Sequence, residues 1–173
     1  MPAPVNDNSS VFGRYFIWLA WIIAIILLIY LFQDLLEKQW NPNQQPEYRL
    51  TNAGQAEVVL QQNHYGHYVT QGTINGYPVT FLLDTGATSV SIPAHLAKQL
   101  ELTKTGSYLV QTANGSVRVF QTHINELTIG NIILNDVNAN INPGMQADEI
   151  LLGMSALKKV EFTQSGKQLV LRQ

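Results

Sequence analysis

The chain contains no cysteine, which excludes disulfide frameworks, thiolate metal sites and thiol nucleophiles. It is also poor in charge: Asp, Glu, Lys and Arg make up 13% of its 173 residues, about half the usual share of roughly 25%. With 46% hydrophobic residues, so little charge rules out a disordered chain, which needs the opposite balance. A formal net charge of −2 leaves no broad basic footprint, so nucleic acid is excluded as a partner. The length fits one ordinary domain.

What is present is unevenly spread. Of the 16 aromatic residues, 8 lie in the first 40 positions: Phe12, Tyr15, Phe16, Trp18, Trp21, Tyr30, Phe32 and Trp40. From Tyr15 to Phe32 there are 18 consecutive positions that are apolar or aromatic and uncharged. At about 1.5 Å per residue such a helix covers about 27 Å, close to the hydrocarbon thickness of a bilayer. Twelve of the 18 are Ile, Leu or Phe; together they favour insertion by about 4 to 7 kcal/mol. Tyr15, Trp18, Tyr30 and Trp40 stand near the ends, where amphipathic rings prefer the headgroup region.

A buried core helix would not need so long an unbroken run. A cleaved signal peptide would have a shorter one ending in small residues, whereas Gln33-Asp34-Leu35-Leu36-Glu37 follows here. The expected organisation is a short tail at 1–14, a transmembrane helix at 15–32 that meets the lipid bilayer, a polar linker at 33–55 and one domain at 56–173. Arg14 and Lys38 flank the span, and the short N-terminal flank implies export of the C-terminal domain. Ala20 and Ala24 form a small-xxx-small pair that lets two helices approach.

Within the linker, Asn41-Pro42-Asn43-Gln44-Gln45-Pro46 is polar and twice interrupted by proline, the composition of a tether. Setting aside the charges before Asn41 leaves 8 basic and 9 acidic groups, so the domain has no electrostatic means of capturing a polyanion.

The domain reads as short strands joined by tight turns. Asn75-Gly76 and Asn114-Gly115 are two-residue hairpin signals, because both central positions need positive φ. Gly130-Asn131 and Ser165-Gly166 are further turns. Between them lie β-rich segments at 68–74, 78–83, 107–112, 117–122, 124–129, 132–139, 150–152 and 168–171. This spacing predicts a mainly β sandwich or barrel. Pro93 at a first helical position, with Leu96 and Leu100 at i, i+4, predicts a short helix over 93–100. A second is expected over 155–159.

The chemistry concentrates at Phe81-Leu82-Leu83-Asp84-Thr85-Gly86-Ala87-Thr88-Ser89. Three apolar residues, as in a buried strand, run straight into a carboxylate, a hydroxyl and a glycine. A carboxylate at the end of a buried strand is costly unless partnered. The Thr hydroxyl and the Gly backbone N–H are local partners for it, and glycine lets another backbone come close. The bare tripeptide Asp-Thr-Gly also occurs as an ordinary turn.

In its context the motif resembles the active-site signature of the retropepsin-like aspartic proteases, apolar-apolar-Asp-Thr/Ser-Gly-Ala, which Leu82-Leu83-Asp84-Thr85-Gly86-Ala87 matches throughout. The resemblance extends upstream to the strand and turn at 68–78. Downstream, Ile150-Leu151-Leu152-Gly153 is similar to the family's second signature, an apolar pair and glycine before a short helix. It implies a retropepsin-like closed β-barrel or sandwich half with one or two short helices, and a bacterial, single-pass, membrane-anchored type.

Roles follow from the resemblance residue by residue. Asp84 would be the catalytic carboxylate. Thr85 would hydrogen-bond to its mate across a dimer axis. Gly86 would offer its N–H to the carboxylate, with Ala87 completing the motif. A hairpin over 108–120 would be the substrate-covering flap, its tip at Ala113, Asn114 and Gly115; this tip lacks the glycine richness of the viral flaps.

The mechanism rests on charge. Two carboxylates a few ångströms apart hold one proton between them. The ionised member activates a water, the protonated one polarises the peptide carbonyl, and activity peaks on the acidic side. No metal, cofactor or covalent intermediate is required. Only one such motif is present, so the second carboxylate comes from a second chain: a homodimer with Asp84 facing its own copy. Protein or peptide is then the substrate. The alternatives are a membrane-tethered domain of the same fold that binds peptides or oligomerises without cleaving, and a monomeric precursor activated by release.

Other residues carry less. His64 and His67 are close in sequence but lack an evident third metal ligand. His95 and His123 need only solvent or hydrogen bonds, and Ser89 and Ser91 lack a His/Asp arrangement. Gly72 to Gly76 lacks phosphate-loop spacing.

Overall fold

The apolar N-terminal run forms one long helix, α1 (Ser9–Trp40), in a computed structural model that describes residues 9–112 and 115–173. The described side chains of its apolar stretch are all exposed; Ile26 and Leu28 are typical at 61% and 58%. A helix apolar on every side needs an apolar environment around it. Its length and composition suffice to cross a membrane. The chain divides after Lys38, and the second compact unit is Gln39–Gln173.

That unit holds β1 (Glu47–Leu50), β2 (Ala56–Gln61), β3 (Val69–Ile74), β4 (Tyr77–Leu83), β5 (Val90–Pro93), β6 (Gly106–Thr112), β7 (Gly115–Ile129), β8 (Ile132–Asn142), β9 (Ile150–Leu152), α2 (Met154–Leu157), β10 (Glu161–Ser165) and β11 (Gln168–Arg172). Seven strands run in the order β3-β4-β9-β5-β8-β7-β6, and pairing of β3 with β7 closes the first six on themselves, with β6 paired to β7 outside the closure. A second sheet has the order β1-β2-β11-β10. Phe81, Ile92, Ile141, Ile150 and Leu152 from the first and Val58, Leu60 and Leu171 from the second are fully or almost fully buried in one core. Each such side chain contributes about 1.5–3 kcal/mol relative to exposure.

The β3–β4 turn is as the sequence dictates. Asn75 has φ 51° and Gly76 φ 83°, the two positive values of a type I′ hairpin. Elsewhere the structure corrects the sequence reading. The stretch expected as a tether is, from Gln39 on, part of the compact unit. It supplies β1 and two buried asparagines, Asn41 and Asn43. The Asn43 amide donates to Gln61 O (2.9 Å) and Val69 O (2.7 Å) and accepts from Gln61 N–H (2.6 Å). A polar segment can thus be buried when its side-chain amides act as peptide groups.

The helix expected over 93–100 is a series of turns. Pro93 still pairs with Asn142 as the last residue of β5, and Glu101 at φ 57° stops the coil; Leu100 N to Leu96 O is its one bond of α spacing among those described. The two segments expected at 117–122 and 124–129 are one strand. Its buried positions, Val119, Thr122, Ile124, Leu127 and Ile129, twice advance by three residues rather than two. A strict alternation therefore splits it. The second short helix is present as α2. Strands β1, β2, β5 and β10 were outside the expected set.

Arg49, Glu57 and Arg172 stand side by side on β1, β2 and β11. The buried Glu57 carboxylate accepts from Arg49 Nε at 2.5 Å and from Arg172 Nε at 2.6 Å. These hydrogen bonds, Arg172 first, hold its pKa below the ordinary 4.5. A depressed carboxylate contributes stability that is complete above its unfolded value and is lost as pH falls through the folded one. Urea unfolding of the wild type is therefore expected to weaken below about pH 4.5 more steeply than that of Glu57→Gln. Equal pH slopes would exclude this role.

Candidate active site

Asp84 is the first residue beyond β4, and both neighbours of that strand fix it. Tyr68, the residue just before antiparallel β3, accepts Leu83 N–H at its carbonyl oxygen, at 3.0 Å. Parallel β9 pairs Leu83 with Leu152, and Leu152 O accepts Asp84 N–H at 3.2 Å. The loop then folds back on its own carboxylate: Gly86 N–H donates to Asp84 Oδ1 at 2.8 Å, and Ala87 N–H to Asp84 O at 3.2 Å. Asp84 is half-buried, whereas Thr85 and Gly86 are exposed. The Thr85 hydroxyl makes no hydrogen bond among the described residues.

The loop is held from behind. Ala87 O accepts Met154 N–H at 2.8 Å, where α2 begins. Gly153 lies flat against the loop backbone: a Cβ there would stand 2.4 Å from Ser89 O and 2.7 Å from Ala87 O. Ser155 Oγ accepts Val90 N–H (2.9 Å) and donates to Asn138 O (2.7 Å). Buried Asn140 donates to Ser89 Oγ and accepts from Ser91 Oγ, both at 2.8 Å. Ser89 and Ser91 thus serve the loop's scaffold.

Asp84 and Thr85 share a cavity of about 230 Å³ with His67, Tyr68, Leu83, Leu157, Phe162 and Gln164. Burial raises the Tyr68 hydroxyl above its ordinary 10.0, and no hydrogen-bond partner for it is present among the described residues. Phe162 and Gln164 come from β10, an edge strand whose five residues are all exposed. Neither Tyr68 nor β10 stands out by sequence motif; only the proximity of 68 to the turn before β3 could have marked the first.

The expected flap hairpin is β6 paired with β7, from Gly106↔Gln121 to Thr112↔Gly115. Ala113 and Asn114 lie outside the described residues. Gly115 opens β7 at φ 107°, and its carbonyl accepts from Thr112 Oγ1 at 2.8 Å. Of the four histidines, His67 lines this cavity and the other three go elsewhere: His95 Nε2 meets Asp148 Oδ1 at 2.8 Å, His123 Nε2 meets Asp136 Oδ1 at 3.1 Å, and His64 packs edge-on against Tyr65. No cluster of three His, Cys, Asp or Glu suited to a metal occurs among the described residues.

The family model described as "gag-polyprotein putative aspartyl protease" matches residues 70–159. An uncharacterized protein in the cobV 5′ region of Sinorhizobium sp is 33% identical over 114 residues, 64% of this chain and 49% of that protein. An uncharacterized protein of Rickettsia prowazekii (strain Madrid E) is 28% identical over 120 residues, 66% of this chain and 50% of that protein. The chain spans about half the length of these curated relatives. The crystal structure of a retropepsin-like aspartic protease from Rickettsia conorii is similar in fold, with a TM-score of 0.56 at 22% identity. That match covers 73% of this chain and 94% of that one.

Proposed function

Because the chain belongs to the gag-polyprotein aspartyl protease family and has the retropepsin-like fold, we propose that it is a membrane-anchored aspartic endopeptidase acting as a homodimer. The observation that carries this reading is Asp84 itself, at the open end of β4 with Gly86 N–H on one oxygen. Two such carboxylates brought face to face hold one proton. The ionised member takes a proton from a water, which attacks the scissile carbonyl, while the protonated member donates to the carbonyl oxygen. Collapse of the tetrahedral species returns a proton to the departing amine. Thr85 bonds its counterpart across the axis, and the 106–121 hairpin covers the peptide.

The exposed edge supports the dimer. An unpaired strand edge is a ready template for another chain, and β10 borders the same cavity as Asp84 and Thr85. Its Phe162 is 42% exposed. α1 supports the anchor by its length and apolar surface; confinement to a bilayer raises the effective concentration of the two chains. The soluble unit lies outside the cytoplasm in this reading, where exported or membrane-proximal polypeptides are its substrates.

Sedimentation of the full chain in detergent, with a peptide-library assay over pH 4–7 and a pepstatin-type inhibitor, tests the reading. A dimer whose cleavage the inhibitor blocks supports it. A strictly monomeric species that cleaves would overturn it, and a dimer that binds peptides without cleaving would establish the peptide-binding alternative. Phe162→Asp is expected to weaken self-association about 30-fold or more, as loss of a central apolar anchor does. Activity should fall with it, while Phe162→Leu stays near wild type. Unchanged association of the Asp variant would remove β10 from the interface.

A further inference from the structure

In the seven-stranded sheet β4 lies between β3 and β9, and Trp40 is tied to the chain just before each of these neighbours. Its indole Nε1 donates to Glu149 Oε1 at 3.0 Å, one residue ahead of β9. Its carbonyl accepts from Asn63 Nδ2 at 2.9 Å, and its ring meets Tyr65 edge-on at 5.7 Å. Buried Asn63 also accepts the N–H groups of Tyr65 and His67, both at 2.9 Å. The side chain that grips Trp40 therefore shapes the turn delivering His67 and Tyr68 to the wall of the Asp84 cavity. Three residues beyond Trp40, Asn43 stitches the end of β2 to the start of β3, and its carbonyl accepts from Gln71 N–H at 3.2 Å.

We infer that Trp40, Asn43 and Asn63 are positioning residues of the site: they brace the two strands flanking β4 and so fix Asp84 laterally. This rests on the reading of Asp84 as the catalytic carboxylate. None of the three lines its cavity. The stretch 39–43, from the last residues of α1 onward, is then a working part of the catalytic unit. A cut before Gln39 releases a braced unit, whereas a cut after Asn43 releases one without its brace, so the position of cleavage decides between active release and inactivation.

The test uses the full chain in detergent micelles. Trp40→Phe keeps a ring against Tyr65 and removes the N–H. Asn63→Asp keeps the acceptor for the turn and sets an oxygen against the Trp40 carbonyl. Glu149→Gln, which retains an acceptor for the indole, is the conservative control. In the double variant Trp40→Phe/Asn63→Asp, amide hydrogen exchange over 64–69 and 84–88 is expected to rise about tenfold while β7 and β8 keep their protection. In the same variant kcat should fall about tenfold with KM little changed, and Glu149→Gln should match wild type in both readouts. The exchange readout needs no catalysis. A wild type that never cleaves, with exchange responding as stated, would overturn the protease reading and support the brace. An active wild type, with exchange and kcat unaltered in the double variant, would overturn the brace.

Discussion

Asp84→Asn is expected to abolish peptide hydrolysis, lowering kcat by about 10²–10⁴-fold or more, the range for removal of a general acid–base group. The amide can keep the hydrogen bond from Gly86 N–H through its own oxygen, so the loop should persist, and with it the proposed dimer. What it cannot do is ionise and take a proton from water. Mixing separates a shared centre from a solitary one. If each dimer needs two ionisable Asp84 side chains, equal amounts of wild type and variant that exchange freely should retain about one quarter of the activity. Retention of one half means that each chain works alone. Full activity in the purified variant would end the assignment of Asp84.

The second large effect is expected at Gly153. Its φ of −87° suits any residue, so conformational freedom is not the issue. Space is. An added methyl would sit 2.4 Å from Ser89 O and 2.7 Å from Ala87 O, both backbone atoms that cannot swing aside. Gly153→Ala must therefore push the 84–89 loop away from the start of α2 and strain the bond from Met154 N–H to Ala87 O. Overpacking of this kind costs about 1–3 kcal/mol, which lowers the melting temperature by roughly 3–15 °C in a unit of this size. Because the shifted backbone carries Asp84, kcat should fall further than the fraction folded. Calorimetry and single-turnover rates on the same sample distinguish the two, and an alanine variant with wild-type melting and turnover would show that the contact yields freely.

The legible parts of this chain are those whose chemistry is local. Leu82 to Gly86 carries strand, carboxylate and turn in one stretch, and Ile150 to Gly153 carries a buried strand and the glycine its backbone contact requires. The Asn75-Gly76 hairpin could be read because positive φ restricts the residue types. Asn43 could not: two prolines and four amides in 41–46 have the composition of a linker, and the carbonyls they satisfy belong to residues 61 and 69. Strand β10, Glu-Phe-Thr-Gln-Ser, has no buried residue in the chain and so no alternation to read. Its place beside Asp84 arises from pairing with β11, a contact that periodicity does not encode.

The small sheet also sets the order in which the molecule can be completed. Glu57 of β2 and its partner Arg172 of β11 are separated by 115 positions. At about 5–20 residues per second of synthesis, β2 waits roughly 6–23 seconds for the strand that covers its second edge. During that interval a nascent chain carries Asp84 on a finished β3–β4 hairpin but lacks the β10 border of its cavity. The wall that β10 and β11 give the Asp84 cavity is thus the last part of it to be made, a delay written into the connectivity.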